Sequence, residues 1–254
     1  MFIQCKDDNG VTYVKCSLCD QNIYDNSDHR CEQMAKHQWL EEGNEWDSLG
    51  GGLEVSVAYF LHSLAENVAR PGMIGFDTGC YTGWTASCVW SVFAANGGHF
   101  YCVDWFKGGV NSQIADYQWG QFPAGTVLLQ LLKNIEIADA LNYVSVVIGT
   151  SWEPAALLPD RSIDYVYIGG DHRYSGIKRD ILAWLPKVRS GGVICGHAFT
   201  GDVEMGSKEW ERLCGEPELD YYIDGKMHFG VVRAVKEMLP GYTRFGQIWA
   251  KVVE

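Results

Sequence analysis

The chain lacks any uninterrupted apolar stretch of the ~18–20 residues that a membrane-spanning helix needs, so no such helix is expected in its 254 residues. Its first residues, MFIQCKDDNG, lack a cationic segment followed by an apolar one, which argues against a secretory signal peptide. Basic residues are scarce: 20 Lys and Arg stand against 32 Asp and Glu, a formal charge of −12. Phosphate neutralisation needs clustered Lys and Arg, so the balance weighs against nucleic acid as a general partner, while leaving a local basic groove open. The chain shows no internal repeat and no low-complexity tract. What it does have is a composition 47% apolar with ordinary charge content, which excludes a disordered protein. Its length suffices for one α/β core plus a small appendage. The expected compartment is the reducing cytoplasm.

Nine cysteines fit that compartment if they do not form a disulfide framework. Cys80, Cys88, Cys102 and Cys195 lie in apolar strands or helix starts, where free cysteine behaves as a small buried hydrophobe. Cys5 and Cys214 show no pattern. The other three cluster: Cys16-x-x-Cys19 is followed by His29-x-Cys31. Together they supply four N/S ligands, the set of a closed structural zinc site. The segment is too short and polar to fold on apolar burial, so metal binding would supply its folding free energy. The plain alternative is a set of reduced surface cysteines, and His37 is a second candidate ligand. A redox pair is disfavoured because no βαβ context surrounds this Cys-x-x-Cys. Residues 1–48 are therefore read as a zinc-knuckle-like segment with a linker helix. Leu49-Gly50-Gly51-Gly52 marks a break before a second domain, 49–254.

Leu53 to Ala69 carries apolar residues at helical spacing, and Pro71-Gly72 stops it. From there strands and helices alternate, which implies a parallel sheet covered by helices. The strand Met73 to Phe76 runs into Asp77-Thr78-Gly79-Cys80-Tyr81-Thr82-Gly83, and a helix begins near Trp84-Thr85. Glycine permits positive φ and close approach of a ligand to the backbone, and a helix N-terminus offers free N–H groups. The next apolar run, His99 to Val103, ends on Asp104. A carboxylate about 20 residues or more past the loop is where such folds hold a ribose. The glycine spacing is not that of a dinucleotide fold, and no Lys-Ser/Thr closes the loop, so a P-loop is disfavoured. Asp77 would repel phosphate and suits a cationic or zwitterionic nucleoside such as S-adenosylmethionine.

On four blocks the chain resembles class I S-adenosylmethionine-dependent methyltransferases, in the branch with small-molecule and sugar O-methyltransferases. The blocks are GFDTGCYTGWT, YCVDWFKGG, SIDYVYIGGDHRYSGIKRDILAWLPKVRSGGVICGHAF and FGVVRAVKEMLP. The matching region, about Met73 to Lys251, spans roughly seven tenths of the chain. The resemblance implies a Rossmann-like, doubly wound, mostly parallel seven-stranded sheet with an antiparallel C-terminal strand. It implies that Asp77, Gly79, Cys80, Tyr81, Thr82, Gly83, Asp104 and Trp105 hold S-adenosylmethionine, with Thr150 and Ser151 near the adenine. Trp105 to Pro123, rich in Gly, Gln and aromatics, reads equally as a lid or as a surface connection.

Ligands of open α/β sheets sit at the carboxyl ends of the strands. Asp171, His172, Tyr174 and His197 fall just past strand ends. Metal-dependent relatives hold a divalent cation with the first Asp of Asp-Gly-Asp-His and the Asp of Gly-His-Asp; Gly169 and Ala198 stand there instead. A hard cation wants oxygen ligands, so metal-independent transfer is expected. His197 is the first candidate base, and His172, oriented by Asp171, the second. The histidines could instead cap strand ends. Three further readings stay open. One is a methyltransferase acting on a macromolecule recruited by the zinc segment. Another is a cofactor-binding protein that has lost catalysis, and the most distant is a nicotinamide oxidoreductase. The leading partner is a small-molecule acceptor, and a homo-oligomer is not excluded.

Overall fold

Short apolar strands alternating with helices that each bury one face leave the chain a single economical solution, a sheet covered on both sides. The computed structural model describes residues 4–6, 12–15, 22–24, 55–107, 124–218 and 227–254. Strands β1 (Gln4–Lys6), β2 (Thr12–Lys15) and β3 (Asn22–Tyr24) form an antiparallel sheet in which Cys5 faces Tyr13 and Val14 faces Ile23 across the register. Sequence periodicity did not point to these strands, each only three or four residues long. Cys16, Cys19, His29 and Cys31 lie outside the described residues, as do the Gly50–Gly52 break and the linker helix expected before it.

The main sheet begins after α1 (Val55–Asn67). In chain order it contains β4 (Ile74–Thr78), α2 (Trp84–Ala95), β5 (His99–Asp104), α3 (Ala124–Ile137), β6 (Val144–Ile148) and β7 (Ile163–Ile168). These are followed by α4 (Tyr174–Trp184), β8 (Val188–Gly196), α5 (Lys208–Cys214), α6 (Phe229–Met238), β9 (Thr243–Phe245) and β10 (Ile248–Val252). The strand order is β6-β5-β4-β7-β8-β10-β9. β10 runs antiparallel to β8, and β9 antiparallel to β10; the other five strands are parallel. The order reverses between β4 and β7, which opens a crevice at their carboxyl ends.

One face of the sheet packs Phe93, Phe100 and Tyr165 among α1, α2 and α3. The other packs Phe76, Trp184 and Trp249 against α4 and α6. Gly75 is required for the first face, because a Cβ there would sit 2.5 Å from the Phe93 ring. At the amino ends of the strands, opposite the crevice, fully buried Asp164 gathers several donors. Arg70 and Arg189 both bond it through Nε, Arg70 Nη2 lies 3.1 Å away, and the Ile74 amide donates at 2.8 Å. This cluster ties the exit of α1 to β4, β7 and β8.

The expected elements recur with shifted ends. β4 continues through Asp77 and Thr78 because both pair with β5 and β7. α3 stops at Ile137 rather than running on to Leu141, as Asp139 turns at φ 53. β8 starts at Val188, five residues before the apolar Val193-Ile194-Cys195 run. Helix α5 was not foreseen; Ser207 caps it by accepting from the Trp210 amide. No helix of the described residues is long and apolar enough to cross a membrane.

Candidate active site

The loop from β4 to α2 takes the shape its glycines permit. Gly79 has φ 81 and Gly83, the N-cap of α2, φ 84, both left-handed. Tyr81 joins them at φ 50. The Gly79 and Cys80 amides donate to the Val103 carbonyl at 2.8 and 3.2 Å, which lays the loop over the end of β5. A Cβ on Gly79 would meet the Gly170 backbone at 2.6 Å, so the loop also abuts the turn after β7. Asp104 closes the arrangement, accepting from the Tyr81 amide at 2.9 Å and the Phe106 amide at 2.8 Å. Asn134 of α3 donates to the Thr82 carbonyl at 2.9 Å, a support that the sequence gave no reason to expect.

Two carboxylates share this corner. Asp77 is buried beneath the first turn of α2, and neither of its oxygens accepts a close hydrogen bond among the described residues. Burial first, then the Asp104 charge, holds its pKa well above the ordinary carboxylate range, while the Ala86 amide pulls the other way. Asp104 is also raised by burial, against the lowering pull of the Phe106, Tyr81 and Trp105 amides. A cationic group between them would favour both charges. Burial pushes the Cys80 thiol up as well, which makes it a packing residue of the loop rather than a nucleophile. The geometry thus brings together Asp77, Gly79, Tyr81, Gly83 and Asp104. Trp105 follows at the end of β5, and most of the expected loop to Pro123 lies outside the described residues.

Across the crevice stand the histidines. His197, at the end of β8, stacks on the Tyr167 ring at 5.7 Å between centroids and 6° between planes. His172 meets the His197 ring edge-on at 4.7 Å, and His228 meets His172 in the same way at 4.7 Å. His228 precedes α6 and is nearly buried; no motif flagged it, because it lies 31 residues past His197. Its amide donates to the Thr200 hydroxyl at 2.9 Å. The first turn of α6 presses so closely on the His172–Tyr174 backbone that a Cβ on Gly230 would lie 2.4 Å from the His172 carbonyl oxygen. Asp171 pairs with Arg173. Its carboxylate takes Arg173 Nη2 at 2.6 Å, Arg173 Nε at 2.9 Å and the Arg173 amide at 3.1 Å, at the start of α4.

Gly169 and Ala198, the positions at which the sequence resemblance led to an expectation of cation-binding acids in metal-dependent relatives, carry no side-chain oxygen. A Cβ on Gly169 would lie 3.1 Å from Tyr167 Cε1 and 3.2 Å from His197 Cε1, a tight fit in which one of these rings would have to give slightly. Ala198 is buried in a left-handed conformation at φ 61. Among the described residues no group of three His, Cys, Asp or Glu is placed to hold a metal. These residues do not fit a hard divalent cation. They do fit a nucleoside cofactor: the Gly79 cradle has no room for a Cβ, and the Asp104 carboxylate ends β5 beside the loop. Thr150 spends its hydroxyl on Glu153 at 2.7 Å. Ser151 bonds Asp180 of α4 at 2.8 Å, a residue that no sequence motif singled out.

A parallel sheet reversing at β4, a glycine loop and an acid ending the next strand define a class I, S-adenosylmethionine-binding methyltransferase fold. Residues 76–199, just under half of the chain, match the family model described as a methyltransferase domain, so the chain carries a methyltransferase domain there. No curated protein matches the chain. Among solved structures it is similar to a Corynebacterium glutamicum protein, with a TM-score of 0.56 and 12% identity over 90% of this chain and 92% of that one. It is also similar to a Staphylococcus aureus protein named as a candidate caffeoyl-CoA O-methyltransferase, with a TM-score of 0.53 and 14% identity over 87% and 97%. A third is cofactor-bound Rv0187 from MTB, with a TM-score of 0.51 and 15% identity over 80% and 81%. At such identities the likeness establishes the fold.

Proposed function

We propose that the chain transfers the methyl group of S-adenosylmethionine to a hydroxyl of a small-molecule or sugar-like acceptor, without the divalent cation used by metal-dependent relatives. The observation that carries this reading is the placement of the His197 imidazole beside Gly169 and Ala198, the two positions at which metal-dependent relatives are expected to carry acids. The name of the Staphylococcus aureus neighbour supports an O-linked acceptor. The cofactor supplies a methyl group activated on a sulfonium. The chain's part is alignment and proton removal. Asp104 would hold the ribose, the Gly79–Gly83 loop would admit the backbone approach, and buried Asp77 favours a cation beside it. His197 takes the acceptor proton, with its ring orientation fixed by the Tyr167 stack and the His172 edge.

His197→Ala is expected to lower kcat by about 10²–10⁴-fold, the usual contribution of a general base, with the cofactor KM little changed. Turnover of the parent should survive EDTA. Full turnover in His197→Ala would refute the base, and activity lost to EDTA and restored by Mg²⁺ would refute cation-free transfer. Cys16, Cys19, His29 and Cys31 keep their sequence case for a structural zinc, which metal analysis of the purified chain would count at one per molecule or at none.

A further inference from the structure

Val127, Leu131 and Ile135 give α3 a buried apolar stripe. Asn134 lies in the same stripe and is fully buried. An apolar side chain would pack there without desolvating an amide, and a buried amide is costly unless it is bonded. Both ends of this one are engaged. Nδ2 donates to the Thr82 carbonyl at 2.9 Å, and Oδ1 accepts from Gln130 Nε2 at 2.7 Å. The first bond spans 52 positions and ends on the cofactor loop. The second is local, from one turn earlier on α3.

The direction of each amide follows from the loop. A carbonyl only accepts, so Thr82 requires an N–H from Asn134. That turns Asn134 Oδ1 toward Gln130 and obliges Gln130 to donate. Gln130 thereby fixes which way the Asn134 amide points.

The loop has a shape that needs holding. Tyr81 at φ 50 and Gly83 at φ 84 flank Thr82, both left-handed, and a tyrosine in that region is strained. Two side chains from outside the loop bracket the strained residue. Asp104 of β5 takes the Tyr81 amide at 2.9 Å, and Asn134 of α3 meets the next carbonyl, that of Thr82. Thr82 is itself buried, so without Asn134 its carbonyl reaches water only if the loop moves.

We infer that Asn134, oriented by Gln130, is a positioning residue for cofactor binding: through Thr82 it holds the β4–α2 loop in the conformation that admits S-adenosylmethionine. This rests on the cofactor reading above. Removing the donor shifts the loop toward conformers that bring the Thr82 carbonyl to water, and affinity falls with the fraction of chains left in the competent shape. The loss has a kinetic signature. Association slows by that fraction, while dissociation of the formed complex keeps its rate. Loss of a side chain that contacts a ligand appears instead mostly in faster dissociation.

The test is binding of S-adenosylhomocysteine to the full chain, by calorimetry for Kd and surface plasmon resonance for the rates, in wild type, Asn134→Leu and Gln130→Glu. Asn134→Leu is expected to raise Kd about tenfold or more, the consequence of a stranded buried carbonyl, with the change carried by association. In Gln130→Glu the new carboxylate can only accept, so it draws Asn134 Nδ2 toward itself and turns Oδ1 onto the Thr82 carbonyl. Its Kd should rise several-fold with the same slow association, although Asn134 and the loop are unaltered in sequence. An unchanged Kd in Asn134→Leu would overturn the inference and leave the cofactor reading intact. So would a loss carried by faster dissociation alone. Should Asn134→Leu not fold, Gln130→Glu decides, and wild-type affinity in that variant refutes the inference. A wild-type chain that does not bind S-adenosylhomocysteine would overturn the cofactor reading itself.

Discussion

Asp164→Ala should lower the melting temperature of the chain by about 6–12 °C, corresponding to about 3 kcal/mol at about 2–4 °C per kcal/mol for a domain of this size. The carboxylate is fully buried, and two arginines and the Ile74 amide converge on it. Removing the anion strands donors that folding has already desolvated, which usually costs about 3–5 kcal/mol. The lower end applies here because the Arg70 side chain is 44% and that of Arg189 25% exposed, so both guanidiniums can turn to water. Asp160→Ala is the control. Its carboxylate is 70% exposed and pairs with Lys187 at 2.7 Å, and loss of such a surface pair changes stability by about 1 kcal/mol or less. Thermal melts of the two variants side by side check the contrast. Equal shifts would mean that the buried cluster is no more than a surface pair in disguise.

Gly79→Ala should weaken S-adenosylhomocysteine binding at least about 30-fold, the equivalent of about 2 kcal/mol. Two costs add. At φ 81 an L side chain is strained by about 1–2 kcal/mol, and the new Cβ would lie 2.6 Å from the Gly170 nitrogen and α-carbon. Both contacts are backbone, so relief comes only by moving the loop or the β7 turn, and either shift disturbs the backbone approach that the cofactor needs. Gly97 provides the comparison: its φ is 60, but nothing lies within 4 Å of an added Cβ. Gly97→Ala therefore carries the conformational strain without the collision, and should leave cofactor affinity unchanged. Calorimetry on both variants measures the difference; an unaffected Gly79→Ala would show that the loop does not line the cofactor.

Local chemistry made much of this fold legible. The β4–α2 loop, the ends of β5 and β7 and the start of α4 fall where glycine, acid and apolar runs pointed, because each signal lies within a few residues of the element it starts or stops. The hairpin of β9 and β10 also matched the resemblance to known methyltransferases. What stayed hidden depends on partners far apart in the chain. Asp164 sits in the run Ser-Ile-Asp-Tyr-Val-Tyr-Ile, and only the approach of Arg70, 94 positions earlier, explains an acid in a buried strand. Asp180 looks like a solvent position of α4 until Ser151 is seen beneath it. His228 acquires meaning only when α6 folds back onto the β7–α4 turn. Asp171 also pairs with Arg173, two residues on and cationic, a partner to which its adjacency to His172 gave no pointer.

The central claim is that this chain binds S-adenosylmethionine through the β4 loop and Asp104 with no help from a divalent cation. Calorimetric titration of S-adenosylhomocysteine into the purified chain, once with Mg²⁺ and once with EDTA, tests it most directly. The account predicts micromolar binding with the same Kd in both conditions. Absence of binding in both, or binding that appears only with Mg²⁺, would contradict it.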